Sequence, residues 1–383
     1  MPLSKIVAKS ITDDTITTDQ IADTSVHGRR NLFHNSEYRV AQRGTSFASA
    51  STLDYFADRW HYARTGTDNA VFTVSRSTDV PSNQGLEFSG RIQSTTAESA
   101  IDADDLVYIR YIIESQDLLH LNYGTSAAKS LTLSFWVYSS SNTGNFAVDF
   151  YTSDANRNQN KTYTISAANT WEHKTITIPG DTSGSGFAAD TGYGLGVHWI
   201  MLAGSNWGTG ATTNVDSWGA YSGATFANGF TATSPFLTTN GVFMIAGPQI
   251  EVGTIATPLE RRGIQEESLA CYRYYYDGRF GTNDGPVSSP GRDAQYGHVR
   301  QAMVDFPVPM RAGPNVSIQS SAANSMDRYG RGQETCYPKA ENIHPEHFQN
   351  IIKYTSSAQT TTATWTDSGN YINRAGYKAN AEY

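Results

Sequence analysis

Residues 131–138, Leu-Thr-Leu-Ser-Phe-Trp-Val-Tyr, alternate without a fault, so that Leu131, Leu133, Phe135 and Val137 fall on one side of an extended chain. A period of two cannot make a helix stripe; it specifies a strand whose apolar side faces a core. Comparable runs recur at residues 70–76, 86–89, 146–151, 171–179, 193–202 and 241–252, with a longer and more apolar one at Leu106–Glu114. Turn signals such as Asn-Thr-Gly-Asn at residues 142–145 separate them. Eight or more strands punctuated in this way predict an all-β, two-sheet sandwich. Trp60, just ahead of the set, is read as a core residue.

Composition agrees and excludes several classes. Only 17% of residues are charged, below the usual ~25%; Thr, Ser, Gly, Asn and Tyr fill the gap, which favours sheets with long polar loops. A length of 383 residues implies two or three domains. The net charge of −8 is scattered, and without a block of Lys and Arg no nucleic-acid groove is expected. No apolar run approaches the ~20 residues that span a bilayer, so no membrane insertion is expected. Met-Pro-Leu-Ser-Lys-Ile at the N-terminus lacks the apolar core of a secretory signal, which implies synthesis and folding in a cytoplasm. Cys271 and Cys336 read as two reduced, buried thiols, although spacing alone leaves a single bridge open.

Residues 1–28 carry a different period. Ile6, Ile11, Ile16, Ile21 and Val26 recur every fifth position among Thr, Asp, Ser and Gln. Neither a lone helix nor a lone strand gathers such residues on one face. A single copy would lack a core and stay disordered. The alternative, preferred because the spacing is strict, is a thin stalk or anchor in which several copies, three above all, bury one apolar residue per pentad around an axis.

Three segments resemble bacteriophage tail-fibre and related virion appendage proteins. The first is a "Q-hydrophobic-E-x-G-x-x-A-T-P-hydrophobic-E" strand and loop followed by "C-x-R-Y-Y". Its matching residues are Gln249, Glu251, Gly253, Ala256, Thr257, Pro258 and Glu260, then Cys271, Arg273, Tyr274 and Tyr275. The second is an entry segment carried by Asn31, Leu32, Asn35, Gln42, Arg43, Gly44 and Thr45, with Asp58, Arg59 and Trp60. The third is an "F-P-V-x-M-R-A-x-P-x-V" strand pair at Phe306, Pro307, Val308, Met310, Arg311, Ala312, Pro314 and Val316. The resemblance implies a jelly-roll sandwich like those of carbohydrate-binding modules over residues 29–262, a smaller β domain over 263–383, and the anchor over 1–28. It implies a homotrimeric tail fibre in the virion, joined to other tail or head proteins through its N-terminus and adhering to bacterial surface polysaccharide during host recognition. A purely architectural head fibre, capsid decoration or tail attachment protein is the alternative, and a polysaccharide depolymerase a more distant one.

The chemistry-bearing residues are few. His344-Pro-Glu-His347 lacks the four-residue His spacing of a zincin, and Pro345 disfavours a helix there; exposed loop histidines are expected. Asp13-Asp14 and the acidic run at residues 102–105 have the oxygen chemistry of a structural calcium site but match no EF-hand; solvated turns are the plainer reading, and no cofactor or catalytic residue is expected. The scattered acids and the missing Gly-x-Ser-x-Gly elbow argue against an enzyme. Trp207, Trp218 and Tyr221 lie in the long Gly-rich polar stretch 203–240, where their faces suit the apolar side of a pyranose ring; packing on the sandwich or a neighbour is the equally weighted alternative. The tyrosines at 272 and 274–276 read as packing at the domain junction. Residues 375–383 read as a final exposed strand.

Overall fold

The computed structural model describes residues 29–50, 54–67, 69–279, 292–293, 298–319, 326–328, 332–333, 336–341, 343–354, 371–373 and 376–383. The stretch 1–28, with Ile6, Ile11, Ile16, Ile21, Val26 and Asp13-Asp14, lies outside them. The chain divides into two compact units: one runs as far as Arg39 and over Thr45–Arg262, the other takes in Val40–Gly44 and Gly263–Tyr383.

The first unit is an antiparallel jelly-roll sandwich. Its strands are β1 Ser46–Phe47, β2 Tyr55–Ala57, β3 Trp60–Thr65, β4 Val71–Ser77, β5 Ser89–Thr96, β6 Leu106–Glu114, β7 Leu131–Ser139, β8 Gly144–Thr152, β9 Arg157–Ile165, β10 Glu172–Ile178, β11 Tyr193–Ala203, β12 Gly219–Ala220 and β13 Val242–Val252. They form a six-stranded sheet, β1-β4-β5-β13-β7-β10, and a seven-stranded sheet, β12-β9-β8-β11-β6-β3-β2. The alternating residues of β7 are buried as their period demands, against Phe146, Val148 and Phe150 of β8 and Val197 and Trp199 of β11. Trp60 is fully buried within an aromatic cluster with Phe33, Tyr111 and Trp199.

Two strand expectations shift. Residues 86–88 are coil, and the strand beside them is the more polar Ser89–Thr96, held between β4 and β13. β9, Arg-Asn-Gln-Asn-Lys-Thr-Tyr-Thr-Ile, carries too many polar residues to announce itself, yet it pairs with β8 along its whole length.

The junction motif is a polar staple of this unit. Gln249 Nε2 donates to Glu251 Oε1 at 2.9 Å and to the Thr257 carbonyl at 3.0 Å, while its Oε1 accepts from the Glu260 amide at 2.7 Å. Glu251 also accepts from the Thr257 amide and hydroxyl, at 2.8 and 2.6 Å. Glu260 Oε2 accepts the amides of Arg30 and Asn31, both at 2.6 Å. Asn31 Oδ1 in turn accepts from Phe33 and Ile250, and Arg262 donates to the carbonyls of Asn31 and Phe33. Buried polar groups persist only when satisfied in this way. Asp58 and Arg59 serve similar ends: the Asp58 carbonyl accepts from Asn35, and Arg59, at φ 74°, donates to the Ile112 carbonyl.

The second unit begins with helix α1 Ile264–Tyr272 and continues with β14 Tyr275–Arg279, β15 Arg292–Asp293, β16 His298–Asp305, β17 Asn315–Gln319, β18 Met326–Arg328, β19 Gly332–Gln333, β20 Cys336–Glu341, β21 His347–Tyr354, β22 Tyr371–Asn373 and β23 Gly376–Asn380. Its sheets are β14-β23-β17, β15-β16-β21-β20 and β19-β18-β22. The "F-P-V-x-M-R" segment is not a strand pair. β16 ends at Asp305, β17 begins at Asn315 and the two pair with different partners, because Pro307 and Pro309 remove the ladder donors between them. The segment supplies Phe306 and Met310 to a small core with Tyr377, Ala379 and Ala381. The terminal strand is likewise not exposed: β23 is the middle strand of its sheet, and Tyr377, Ala379 and Ala381 are buried. Gln42 donates to the Tyr275 carbonyl at 2.8 Å and Arg43 lies 3.7 Å over the Tyr275 ring. Tyr272 and Tyr276 pack edge to face, and Cys271 is buried.

Candidate functional site

Pairing in the seven-stranded sheet aligns five polar residues across five strands. His61 of β3 lies opposite Arg110 of β6, Arg110 opposite His198 of β11, His198 opposite Asp149 of β8, and Asp149 opposite Asn160 of β9. The strand neighbours of His61, Arg110, His198 and Asp149 are buried in the core, so the period of two turns this row to the outer face. Apolar strands do not carry such residues without cause.

The row is wired. Asp149 is fully buried; its Oδ2 is 2.9 Å from His198 Nδ1 and its Oδ1 accepts from Asn158 Nδ2 at 2.7 Å. His198 Nε2 meets the Tyr193 hydroxyl at 3.1 Å. Burial holds His198 below the usual histidine range against the pull of Asp149, and burial pushes the Asp149 carboxyl up. With His198 neutral, Nδ1–H donates to Asp149 and Nε2 accepts from the Tyr193 hydroxyl. Gly196 makes this reach geometrically possible. A Cβ there would stand 2.0 Å from the Tyr193 hydroxyl oxygen and 2.8 Å from His198 Cε1. At the other end Arg110 Nε donates to His61 Nε2, and the Tyr55 ring stacks on His61 at 4.9 Å.

Part of this face is covered by the polar stretch 203–240. The Thr225 carbonyl accepts from Asn158 at 2.9 Å and Asn160 at 2.7 Å, and Phe226 packs on Tyr108 and His198. The face also carries half-buried tyrosines, Tyr55, Tyr108, Tyr151 and Tyr193 from the sheet and Tyr221 from the covering stretch. Tyr151 links Tyr193 and Tyr221, with ring centroids 5.7 Å and 4.6 Å away. Burial pushes Tyr221 up to about 12 and raises Tyr108, Tyr151 and Tyr193; their hydroxyls stay neutral at physiological pH.

Of the three aromatics singled out in the sequence, Tyr221 joins this row. Trp207 and Trp218 are half-buried against the sandwich, with indole N–H groups donated to the carbonyls of Asp104 at 3.0 Å and Pro179 at 2.8 Å. In the acidic run, Asp105 accepts from the Asp102 amide at 2.9 Å and from the Thr67 amide, a turn stitched by its own carboxylate. No group of three or more acidic, His or Cys side chains suited to a metal occurs among the described residues. His344 is exposed, and the side chain of His347 lies outside the described residues. Sequence reasoning missed Asp149, His198, Arg110 and Tyr193; the available signal for the first three was a titratable residue in the middle of an otherwise apolar strand.

No family model and no curated protein matches the chain. Among solved structures, the enzymatically active domain of tailspike protein 4 from bacteriophage CBA120 aligns at 13% identity and TM-score 0.29, over 51% of this chain and 20% of that one. The chain thus spans a fifth of that domain's length. The family 11 carbohydrate-binding module of Clostridium thermocellum, in complex with a mixed-linked tetrasaccharide, aligns at 14% identity and TM-score 0.25 over 54% and 95%. The xylan-binding domain of a Paenibacillus barcinonensis protein aligns at 10% and 0.25 over 60% and 100%. Likenesses this slight carry no argument, and the functional reading stands on the chain's own geometry and motifs.

Proposed function

We propose that the protein is a non-enzymatic component of a bacteriophage virion, a trimeric tail fibre whose jelly roll adheres to bacterial surface polysaccharide. The observation that carries the binding reading is the row of half-buried tyrosines on the outer face of the seven-stranded sheet, one of which, Tyr193, is tied beneath to His198 and Asp149. Aromatic faces cover the apolar side of sugar rings, and hydroxyls oriented by a buried network meet sugar hydroxyls without a fresh ordering cost. Both Asp149 oxygens are already engaged, which suits a positioning role. The phage setting is supported by the three motifs, and the trimer by the five-residue recurrence of Ile6, Ile11, Ile16, Ile21 and Val26. Weak single sites repeated on one fibre would gain about 10²–10⁴ in avidity.

The test is an array of bacterial surface polysaccharides probed with the full chain and with Tyr151→Ala and Tyr221→Ala. Each substitution is expected to weaken binding at least about fivefold. Binding that survives both unchanged contradicts the site.

A further inference from the structure

The polar row carries one cation that the protein leaves unneutralised. Arg110 is half-buried, and among the described residues it makes one hydrogen bond, to His61, and no ion pair. Other arginines of the same unit are matched: Arg157 with Asp181, Arg261 with Glu37, Arg262 with Glu260. Asp149, the acid of the row, is committed to His198 and Asn158. Strand register sets Arg110 between His61 and His198 and on the same side of β6 as Tyr108, which places it amid the tyrosine platform.

A guanidinium withdrawn from water without a counter-charge costs free energy. Its planar fork matches the paired oxygens of a carboxylate or phosphate. Its Nε is fixed by His61, so the remaining N–H groups are held in a set direction. The Tyr193 hydroxyl is held on the same face by its contact with His198 Nε2.

We infer that this face takes an acidic sugar, with Arg110 holding its anionic substituent, a carboxylate or a phosphate, while Tyr151, Tyr193 and Tyr221 cover the ring and its hydroxyls. The inference rests on the glycan-binding reading and names the class of glycan. The net charge of −8 sharpens the test, because a polyanion is repelled by such a protein unless a local site holds it.

The experiment is affinity electrophoresis of the full chain through gels containing polygalacturonate, a phosphomannan or neutral galactan, repeated with Arg110→Gln and Arg110→Lys. The expected result is retardation by an acidic polymer, weakened about tenfold or more in Arg110→Gln and partly kept in Arg110→Lys, which retains charge but not the fork. Which acidic polymer retards the protein separates carboxylate from phosphate. Arg110→Lys serves again where Arg110→Gln fails to fold. Retardation by galactan equal to that by the acidic polymers, or indifference to both substitutions, overturns the acidic assignment and leaves glycan binding standing. Migration unaffected by all three polymers removes the glycan reading and this inference with it.

Discussion

At the level of single residues, the site depends on small groups that allow a close approach. Gly196 lets the Tyr193 hydroxyl reach His198. Gly196→Ala should lower stability by about 1–3 kcal/mol in urea titration, as overpacking does. Gly263→Ala, where a Cβ meets nothing within 4 Å, should be close to neutral. His198 provides a second prediction. Its pKa in the folded chain lies below the ordinary histidine value of 6.5, because burial disfavours the imidazolium. The unfolded chain therefore takes up a proton that the folded chain refuses, and stability should fall as pH drops through the window just below 6.5. Asp149, raised by burial above 3.8, acts in the opposite sense nearer its own range, stabilising the fold as pH falls. Unfolding free energies across about pH 5–7 should show that slope in the native chain and a flatter one in His198→Gln; equal slopes would contradict the assignment.

Among the elements, the junction strand and loop behave as one buried hydrogen-bonded unit. Glu251→Ala would leave the Thr257 amide and hydroxyl and one Gln249 donor without their acceptor. The expected cost is about 2–4 kcal/mol by chemical denaturation, and a loss below about 0.5 kcal/mol would show that the network is dispensable. Legibility in the sequence divides along the same lines. β6, β7, β8, β11 and β13 were readable because one side of each is apolar without interruption. β9 was not, because Asn158 and Asn160 bond to the Thr225 carbonyl, 67 and 65 positions away. The site was hidden for a related reason. His61, Arg110, His198, Asp149 and Asn160 are brought into line by strand register, and register is a property of pairing that no single segment displays. The polar stretch 203–240 was legible as a long functional-looking loop, but its packing over the sheet at Tyr108, Asn158, Asn160 and His198 was not.

For the molecule as a whole, no helix among the described residues is long and apolar enough to cross a membrane. The proposed assembly makes its own prediction. If Ile6, Ile11, Ile16, Ile21 and Val26 bury one another between copies, Ile11→Asp with Ile16→Asp should convert a trimer to monomers in sedimentation velocity. A native chain that sediments as a monomer would rule out the trimer. Everything proposed for the jelly roll turns on a glycan binding at the outer face of the seven-stranded sheet. Hydroxyl-radical footprinting of the full chain, with and without a polysaccharide that it retains, examines that face residue by residue. Protection should be confined to Tyr55, Tyr108, Tyr151, Tyr193 and Tyr221. Protection that falls elsewhere, with these tyrosines unchanged, would place the glycan on another surface and refute the site.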